Sequence, residues 1–257
     1  MTVADGRAER PLLEIAVQDA VGARIALDAG ADRVELCQAL GTGGLTPSLG
    51  TVDRVLEAVG DPARLAVLVR PRGGGFVYDR EEIAVATGDI LHLVSAGVTR
   101  LVVGALTAEG DVDADALHRW RAAAPDAHLV FHRAIDVAPD ALDIAERLPA
   151  LGVASVLTSG GAARSVDATD TLSKLVERMR GRLQIVAGGG IRVPDIPALV
   201  ATGVAGIHLS ARARALTGSA GPGGGEDGYD ITDAPTVASA VHAVRTADAR
   251  SSRPISN

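Results

Sequence analysis

The sequence predicts one α/β domain, residues 1–257, with the fold of a (β/α)8 TIM barrel whose strands run parallel. Its 257 residues and 47% hydrophobic content allow a large core without disulfides. Only 2% of the residues are aromatic, and an apolar fraction rich in Ala, Val, Leu and Ile suits a parallel sheet covered by helices. A glycine followed by a short turn and a buried strand also recurs along the chain, which indicates repeated strand and helix units.

The recurring segments each begin at a glycine that ends a helix, namely Gly30, Gly97, Gly152 and Gly203. These glycines lie 67, 55 and 51 residues apart, and each interval has room for two strand and helix units with short connections. We therefore expect one further strand in each gap. Apolar runs at 65–69, 129–132 and 183–186 supply those strands, and residues 12–17 form the first strand of the series.

Helical segments lie between the predicted strands. Asp19 is the expected N-cap of a helix that continues to residue 29, and Ala/Leu spacing predicts helices that include 138–148, 193–201 and 234–245. The core thus covers about 12–247. The glycines of 217–229 predict a mobile loop, and the ends 1–10 and 249–257 are expected to be disordered. Eight strand and helix units favour the barrel over a doubly wound open sheet, which usually has fewer strands.

Composition and charge restrict the possible partners and the compartment. The net charge of −7 and the scarcity of aromatic residues argue against nucleic-acid binding. No apolar run approaches the ~20 residues of a membrane span, and the first ten residues lack the apolar stretch of a secretory signal. Cys37 is the only cysteine, which excludes an intramolecular disulfide and a multi-thiolate zinc site. We therefore expect a cytoplasmic protein that binds neither nucleic acid nor membrane.

Charged side chains are expected to meet at the carboxyl ends of the strands, the reactive face of such barrels. The strand at 65–69 runs into Arg70 and Arg72, and three glycines follow it, so fixed positive charge lies beside a permissive loop. Side chains alternate along a strand, so if Arg70 points into the lumen, Leu68 does too. By the same pattern Glu14, Glu35 and His132 are lumen residues, with Cys37 one step above Glu35.

Two interpretations of these groups stay open. The acids and Arg70 could form an internal ion network, since buried charges are normally paired, or one acid, Glu14 or Glu35, could be a general base. His132 is followed closely by Arg133 and Asp136, so it is either a proton shuttle or a core histidine bonded to backbone.

A polar rim at the later strand ends predicts an anion site. Gly188, Gly189 and Gly190 follow the seventh strand, where barrels frequently bind phosphate through exposed backbone N–H groups. The absence of a following lysine excludes a P-loop. The other candidate anion ligands are polar, cationic or glycine residues at neighbouring strand ends: Arg70, Arg72, Arg133, Thr158, Ser159, Gly160 and Ser210. His208 adds a second histidine to this rim.

Six motifs in order resemble the CutC copper homeostasis family. They are VELC at 34–37, GGLTPS at 43–48, RPRGG at 70–74, FHRA at 131–134, LTSG at 157–160 and AGGG at 187–190. The resemblance covers about residues 12–211. It implies a cytoplasmic, homo-oligomeric barrel associated with copper handling, in which Cys37 corresponds to a proposed copper ligand of the family.

Two functions therefore remain. In the first, the protein binds copper through the Cys37 thiolate, and a histidine such as His208 or a second subunit completes the site. In the second, it is an enzyme for a small anionic metabolite, phosphorylated or carboxylate, in which Glu14, Glu35 or His132 transfers protons and Asp136 is a further catalytic candidate in the same site. Cu(I) prefers soft ligands, and Cys37 is the only thiol on the chain, so the local chemistry supports the second function while the family resemblance supports the first.

Overall fold

The computed structural model describes residues 10–216, 218, 221–222 and 228–251. Eight parallel strands close into a barrel in chain order, with β1 paired to both β2 and β8, so the predicted fold class is confirmed. The barrel strands are β1 (Leu12–Val17), β2 (Arg33–Leu36), β3 (Leu65–Leu68), β4 (Arg100–Val103), β5 (His128–Phe131), β6 (Val153–Thr158), β7 (Gln184–Gly188) and β8 (Gly206–Leu209).

Helices cover the outside of the barrel. They are α1 (Ala20–Asp28), α2 (Leu49–Val59), α3 (Arg80–Ser95), α4 (Ala114–Ala123), α5 (Ala141–Arg147), α6 (Thr169–Met179), α7 (Ile196–Val200) and α8 (Ala234–Ser251). The predicted N-cap is present, because the Asp19 side chain accepts a hydrogen bond from the Gly22 N–H at the start of α1. None of the helices in the described part of the chain has both the length and the hydrophobicity that crossing a membrane requires.

The glycine-rich segment contains more regular structure than the sequence predicts. Strands β9 (Arg212–Ala215) and β10 (Tyr229–Thr232) pair antiparallel, so Tyr229, the predicted end of the mobile loop, belongs to a strand. Gln18 ties this hairpin to the barrel by donating to the Asp230 carbonyl at 3.1 Å. The predicted loop otherwise falls mostly outside the described residues.

The predicted chain ends also need correction. Arg10 forms an ion pair with Asp32, so the described chain begins with an anchored residue instead of a disordered one. Helix α8 continues to Ser251, six residues beyond its predicted end at Arg245. The predicted disorder at 1–9 and 252–257 lies outside the described residues.

Two hydrophobic layers follow from the alternation of side chains along the strands. The larger layer lies between barrel and helices, where Phe131 and Trp120 are fully buried. A smaller cluster fills part of the lumen and comprises Cys37, Ala66, Leu68, Val102 and Val130. Because these lumen positions alternate with helix-facing ones, polar residues in the same register, such as Glu35 and Arg70, also project inward. The lumen therefore has an apolar side and a polar side.

Candidate active site at the carboxyl end of the barrel

A cavity of about 230 Å³ opens above the lumen cluster at the carboxyl ends of the strands. Its walls come from every part of the barrel rim except β4. The lining residues are Ala16, Glu35, Cys37, Leu40, Gly43, Leu68, Arg70, Phe76, His132, Arg133, Leu157, Gly189, Gly190, Ile191, His208, Leu209 and Ser210. The structure thus brings together both predicted metal ligands and half of the predicted proton-transfer and anion-binding residues.

Arg70 is a buried cation without a carboxylate partner. Its side chain is held by backbone carbonyls, with Nη1 donating to Gly44 at 3.1 Å and Nη2 to Gly74 at 2.7 Å. The guanidinium also lies 5.1 Å from the centre of the Phe76 ring. The residue is only 6% exposed, its Nε has no hydrogen-bond partner, and it forms no ion pair among the described residues. An uncompensated positive charge therefore borders the cavity.

His132 is a neutral hydrogen-bond donor in the same wall. Its Nδ1 accepts from the Ala134 N–H at 3.1 Å, so in the neutral ring the proton is on Nε2. Burial and the nearby charge of Arg70 lower the pKa of His132 to about 3. Nε2 is buried without a partner, and Phe76 packs on the ring with centroids 4.9 Å apart. The side chain is therefore suited to donate to a ligand oxygen, and its hydrogen bond with backbone favours the predicted core histidine over the predicted proton shuttle.

Three other side chains of the lumen form an acid and imidazole cluster on β1, β2 and β8. Glu14 is the register partner of both Arg33 and His208, so their side chains meet inside the barrel. Arg33 forms a buried salt bridge with Oε2 of Glu14, and His208 Nδ1 lies 2.9 Å from Oε1 of the same carboxylate. Glu35 Oε2 is 3.8 Å from His208 Nδ1 and has no hydrogen-bond partner.

The pKa values of the two glutamates in this cluster are shifted in opposite directions. Burial alone would raise the pKa of Glu14, but the charge of Arg33 and the hydrogen bond with His208 outweigh it and lower that pKa to about 2. Burial raises the pKa of Glu35 to about 7. The charge of His208 lowers this pKa and the charge of Glu14 raises it, but burial has the largest effect. Burial lowers the pKa of His208, yet Glu35 and Glu14 outweigh it and leave that pKa above its ordinary value. Glu14 is thus a fixed anion, whereas Glu35 is an acid with a pKa near neutral pH, beside a histidine whose pKa is raised.

Cys37 reaches the cavity wall but remains a thiol. It is almost fully buried within the lumen cluster, and its Sγ lies 3.9 Å from the Val17 carbonyl. Burial, and then the charge of Glu35, raise the pKa of Cys37 far above its ordinary value. Since metal ions bind the thiolate, this environment opposes coordination by Cys37.

Asp136 holds a loop and does not line the cavity, in contrast to its predicted catalytic role. Its carboxylate accepts from the Thr158 hydroxyl at 2.5 Å and the Ser159 N–H at 3.0 Å, and it pairs with Arg133 Nε at 2.8 Å. The Ser159 hydroxyl donates to the Ala162 carbonyl. The hydroxyls of Thr158 and Ser159 are therefore engaged within the protein, although both were expected to face an anion.

Of the glycines predicted to bind an anion, only two line the cavity, and the predicted anion ligand Arg72 lies outside it. Gly189 and Gly190 line the cavity, whereas Gly188 makes room for its neighbours, because a Cβ there would lie 2.5 Å from Leu157 Cδ1. Gly160 is not part of the cavity lining, and a Cβ there would lie 2.8 Å from that of Ala168. Arg72 points away from the cavity, forming a salt bridge with Glu82 and donating to the Val77 carbonyl.

Sequence reasoning missed two residues of the site. Arg33 begins a strand directly after a turn, and only the alternation of side chains back from Glu35 could have placed it in the lumen. Phe76 follows the three glycines after Arg72, and no periodic pattern marks it as the residue that contacts Arg70 and His132. Its aromatic character in a chain with 2% aromatic residues was the available signal.

The closed barrel defines a TIM-barrel protein with a polar cavity at the carboxyl ends of its strands. The CutC family model matches residues 11–213, and the chain belongs to this family, as its motifs predict. A CutC family protein of Xanthomonas campestris is 39% identical over 91% of this chain and 99% of its own length. One from Rhizobium meliloti is 42% identical over 73% of this chain and 76% of its own.

A solved structure shows the same fold at lower identity. This CutC protein of Streptococcus agalactiae, which carries a copper homeostasis assignment, is 31% identical to the chain. The alignment covers 77% of this chain and 97% of that one, with a TM-score of 0.71. The barrel described above is therefore shared within the family.

Proposed function

We propose that the protein is an enzyme that binds a small anionic metabolite, a carboxylate or a phosphate ester, in the cavity and transfers a proton during its reaction. The observation that carries this proposal is the unpaired, buried guanidinium of Arg70. A charge removed from water without a counter-ion is costly, so a site that keeps one is suited to receive an anion. Arg70 Nε and His132 Nε2 are two unused donors on one wall, where they can bind the oxygens of such a group.

We assign the chemistry to the part of the wall that β2 and β8 form. Glu35 and His208 line the cavity, and Glu14 holds the imidazole by a hydrogen bond to Nδ1, which leaves Nε2 as the atom with the free lone pair. A histidine oriented by a buried carboxylate is a common arrangement for general acid and base catalysis. The donors on the first wall can stabilise negative charge that develops on a substrate oxygen.

A binding screen followed by an exchange measurement tests the proposal. Small carboxylates and sugar phosphates are screened by thermal shift, and hits are titrated calorimetrically. Arg70→Met should weaken binding by about 1.5–3 kcal/mol, because hydrogen bonds to charged groups have this value. Arg72→Met is the matched control and should bind normally, since Arg72 faces Glu82.

Turnover is then followed by exchange of substrate hydrogen for deuterium in D2O, observed by NMR. Loss of exchange in His208→Asn with retained binding would support the assignment of the acid and imidazole cluster. Unchanged affinity in Arg70→Met would remove the anion site from that residue and contradict the proposal.

Copper handling is a second candidate, favoured by family membership and by Cys37 in the cavity wall. The cavity offers one thiol, so the other ligands would be imidazole or carboxylate, which Cu(I) disfavours. An anaerobic Cu(I) competition titration of wild type and Cys37→Ser tests this role. Equal Cu(I) affinity in the two proteins would exclude Cys37 as a copper ligand.

A further inference from the structure

We propose that Glu14, Glu35 and His208 bind a divalent first-row metal ion, such as Zn²⁺ or Mn²⁺, beside the anion held by Arg70. The site rests on the proposed function only for the anion, since the three metal ligands belong to the chain itself. With the ion bound, Glu35 and His208 are its ligands, so proton transfer by these two groups belongs to the metal-free protein. The copper candidate uses Cys37 and a soft monovalent ion, so the two metal sites differ in residue and in ligand chemistry.

The geometry of the three side chains is close to that of a metal site. One potential ligand atom from each residue lies within 4.8 Å of the others. The separations that involve His208 Nδ1 are 2.9 Å to Glu14 Oε1 and 3.8 Å to Glu35 Oε2. For bonds of ~2.1 Å, ligand atoms lie ~3.0 Å apart in an octahedral site and ~3.4 Å apart in a tetrahedral one. Small side-chain shifts are therefore sufficient to coordinate one ion.

The charge balance of the cluster favours a cation. Of the two buried carboxylates, only Glu14 bonds to a guanidinium, through Oε2 to Arg33, while Arg100 interacts with Glu14 only through its charge. Glu14 can therefore keep this salt bridge and still offer Oε1 to an ion. Glu35 is only 6% exposed, and its Oε2 has no hydrogen-bond partner among the described residues. A buried carboxylate oxygen without a partner is unfavourable, and a metal ion would satisfy it.

The neighbouring cavity gives an independent reason to expect a ligand at this position. Arg70 and His132 each have a buried donor nitrogen without a partner, and both residues line the cavity together with Glu35 and His208. Three protein ligands leave open coordination positions, as in catalytic metal sites, and the cavity provides the space for an anion to occupy one. Residues with unpartnered donors and a residue with an unpartnered acceptor thus line the same cavity.

The ligand types determine which metals fit. Two carboxylates and one imidazole form a hard to borderline set that suits divalent Zn²⁺, Mn²⁺ and Fe²⁺, whereas Cu(I) prefers softer sulfur ligands. Coordination through His208 Nδ1 displaces the proton that this atom donates to Glu14, so binding should release at least one proton. The ion then supplies a fixed positive charge next to the bound anion.

Metal binding by the purified chain tests this site without any metabolite. Protein stripped with a chelator is titrated with Zn²⁺ and Mn²⁺ by calorimetry and with Co²⁺ by visible absorption. We expect one ion per chain, and we expect Glu35→Gln and His208→Asn each to weaken binding roughly tenfold or more. Cys37→Ser and His132→Gln are matched controls in the same cavity and should bind normally.

Each outcome decides for or against the site. Tenfold loss in the two ligand variants with normal binding in both controls supports it, provided that circular dichroism shows folded proteins. Absence of saturable binding in wild type, unchanged affinity in Glu35→Gln, or loss of binding in Cys37→Ser would overturn it. Glu35 Oε2 has no hydrogen-bond partner in the described part of the chain, so its variant should fold. Anion binding at Arg70 is measured separately in metal-free protein, so failure of one proposal is distinguishable from failure of the other.

Discussion

Substitution by Gln should destabilise the folded protein strongly at Glu14 but only slightly at the neighbouring buried Glu35. Glu14→Gln removes the negative charge that Arg33 bonds to, and it leaves Arg33 close to a second buried guanidinium, Arg100. Removing one partner of a buried ion pair costs about 3–5 kcal/mol. Glu35→Gln removes a charge that has no bonded partner, so we expect a change of less than about 1 kcal/mol.

Thermal unfolding in the presence of a chelator measures this difference. Trp120 is 1% exposed and the only tryptophan, so its fluorescence reports exposure of the core. For a chain of this size each kcal/mol corresponds to about 2–4 °C in Tm, so Glu14→Gln should lower Tm by about 6–20 °C. Glu35→Gln should lie within about 4 °C of wild type. Equal destabilisation by the two variants would show that the Arg33 salt bridge does not hold the cluster.

Three further predictions concern the cavity wall. The pKa of His132 is lowered to about 3 in the folded protein, so its contribution to stability should be constant above pH ~6.5 and be lost as pH falls toward ~3, at up to ~1.4 kcal/mol per pH unit. His132→Gln should remove this part of the acid sensitivity, measured by urea titration at several pH values. Identical pH profiles of wild type and variant would contradict the assignment. Gly189 has φ of 125° and a Cβ there would lie 2.9 Å from Arg133 Cζ, so Gly189→Ala should cost about 1–3 kcal/mol and weaken anion binding, whereas Gly73→Ala, with open space around it, should be neutral in both assays. Asp136→Asn should loosen the loop after β6 and raise hydrogen exchange at the Ser159 amide, measured by mass spectrometry; unchanged protection would show that Asp136 does not hold this loop.

Alternation along strands explains why the lumen residues could be predicted from sequence. Once Arg70 was assigned inward, period-two spacing placed Leu68, and the equivalent positions Glu35 and Cys37 followed on the neighbouring strand. All four line the cavity. Glycines that end helices marked the beginning of every second strand, so strand number and order followed from local signals. This part of the site depends only on the alternation of side chains within each strand, which local sequence is sufficient to predict.

Contacts between distant segments explain what the sequence could not predict. Arg72 lies two residues from Arg70, yet it faces outward because it forms a salt bridge with Glu82 at the start of α3. Asp136 was assigned to the cavity because it follows His132, but donors on the loop after β6 orient its carboxylate away. In both cases the partner is many residues away along the chain, so no local sequence pattern predicts the contact.

The β9–β10 hairpin was missed for a compositional reason. Residues 212–215 alternate arginine and alanine, without the β-branched or aromatic residues that favour strands, and many glycines follow. Pairing with Tyr229–Thr232 supplies the order that propensity does not.

This hairpin also makes the barrel suitable for protein engineering. Ala215 and Tyr229 are register partners, so the two ends of the intervening 13-residue connection are held with Cα atoms ~5 Å apart. A foreign domain whose own termini are adjacent could be inserted there and would enter and leave through this fixed pair, since lengthening a closed loop adds little entropy cost. The link from Gln18 to the Asp230 carbonyl would connect such a guest mechanically to β1, the strand that carries Glu14. Occupancy of the cavity could then be read as a change in the guest's signal.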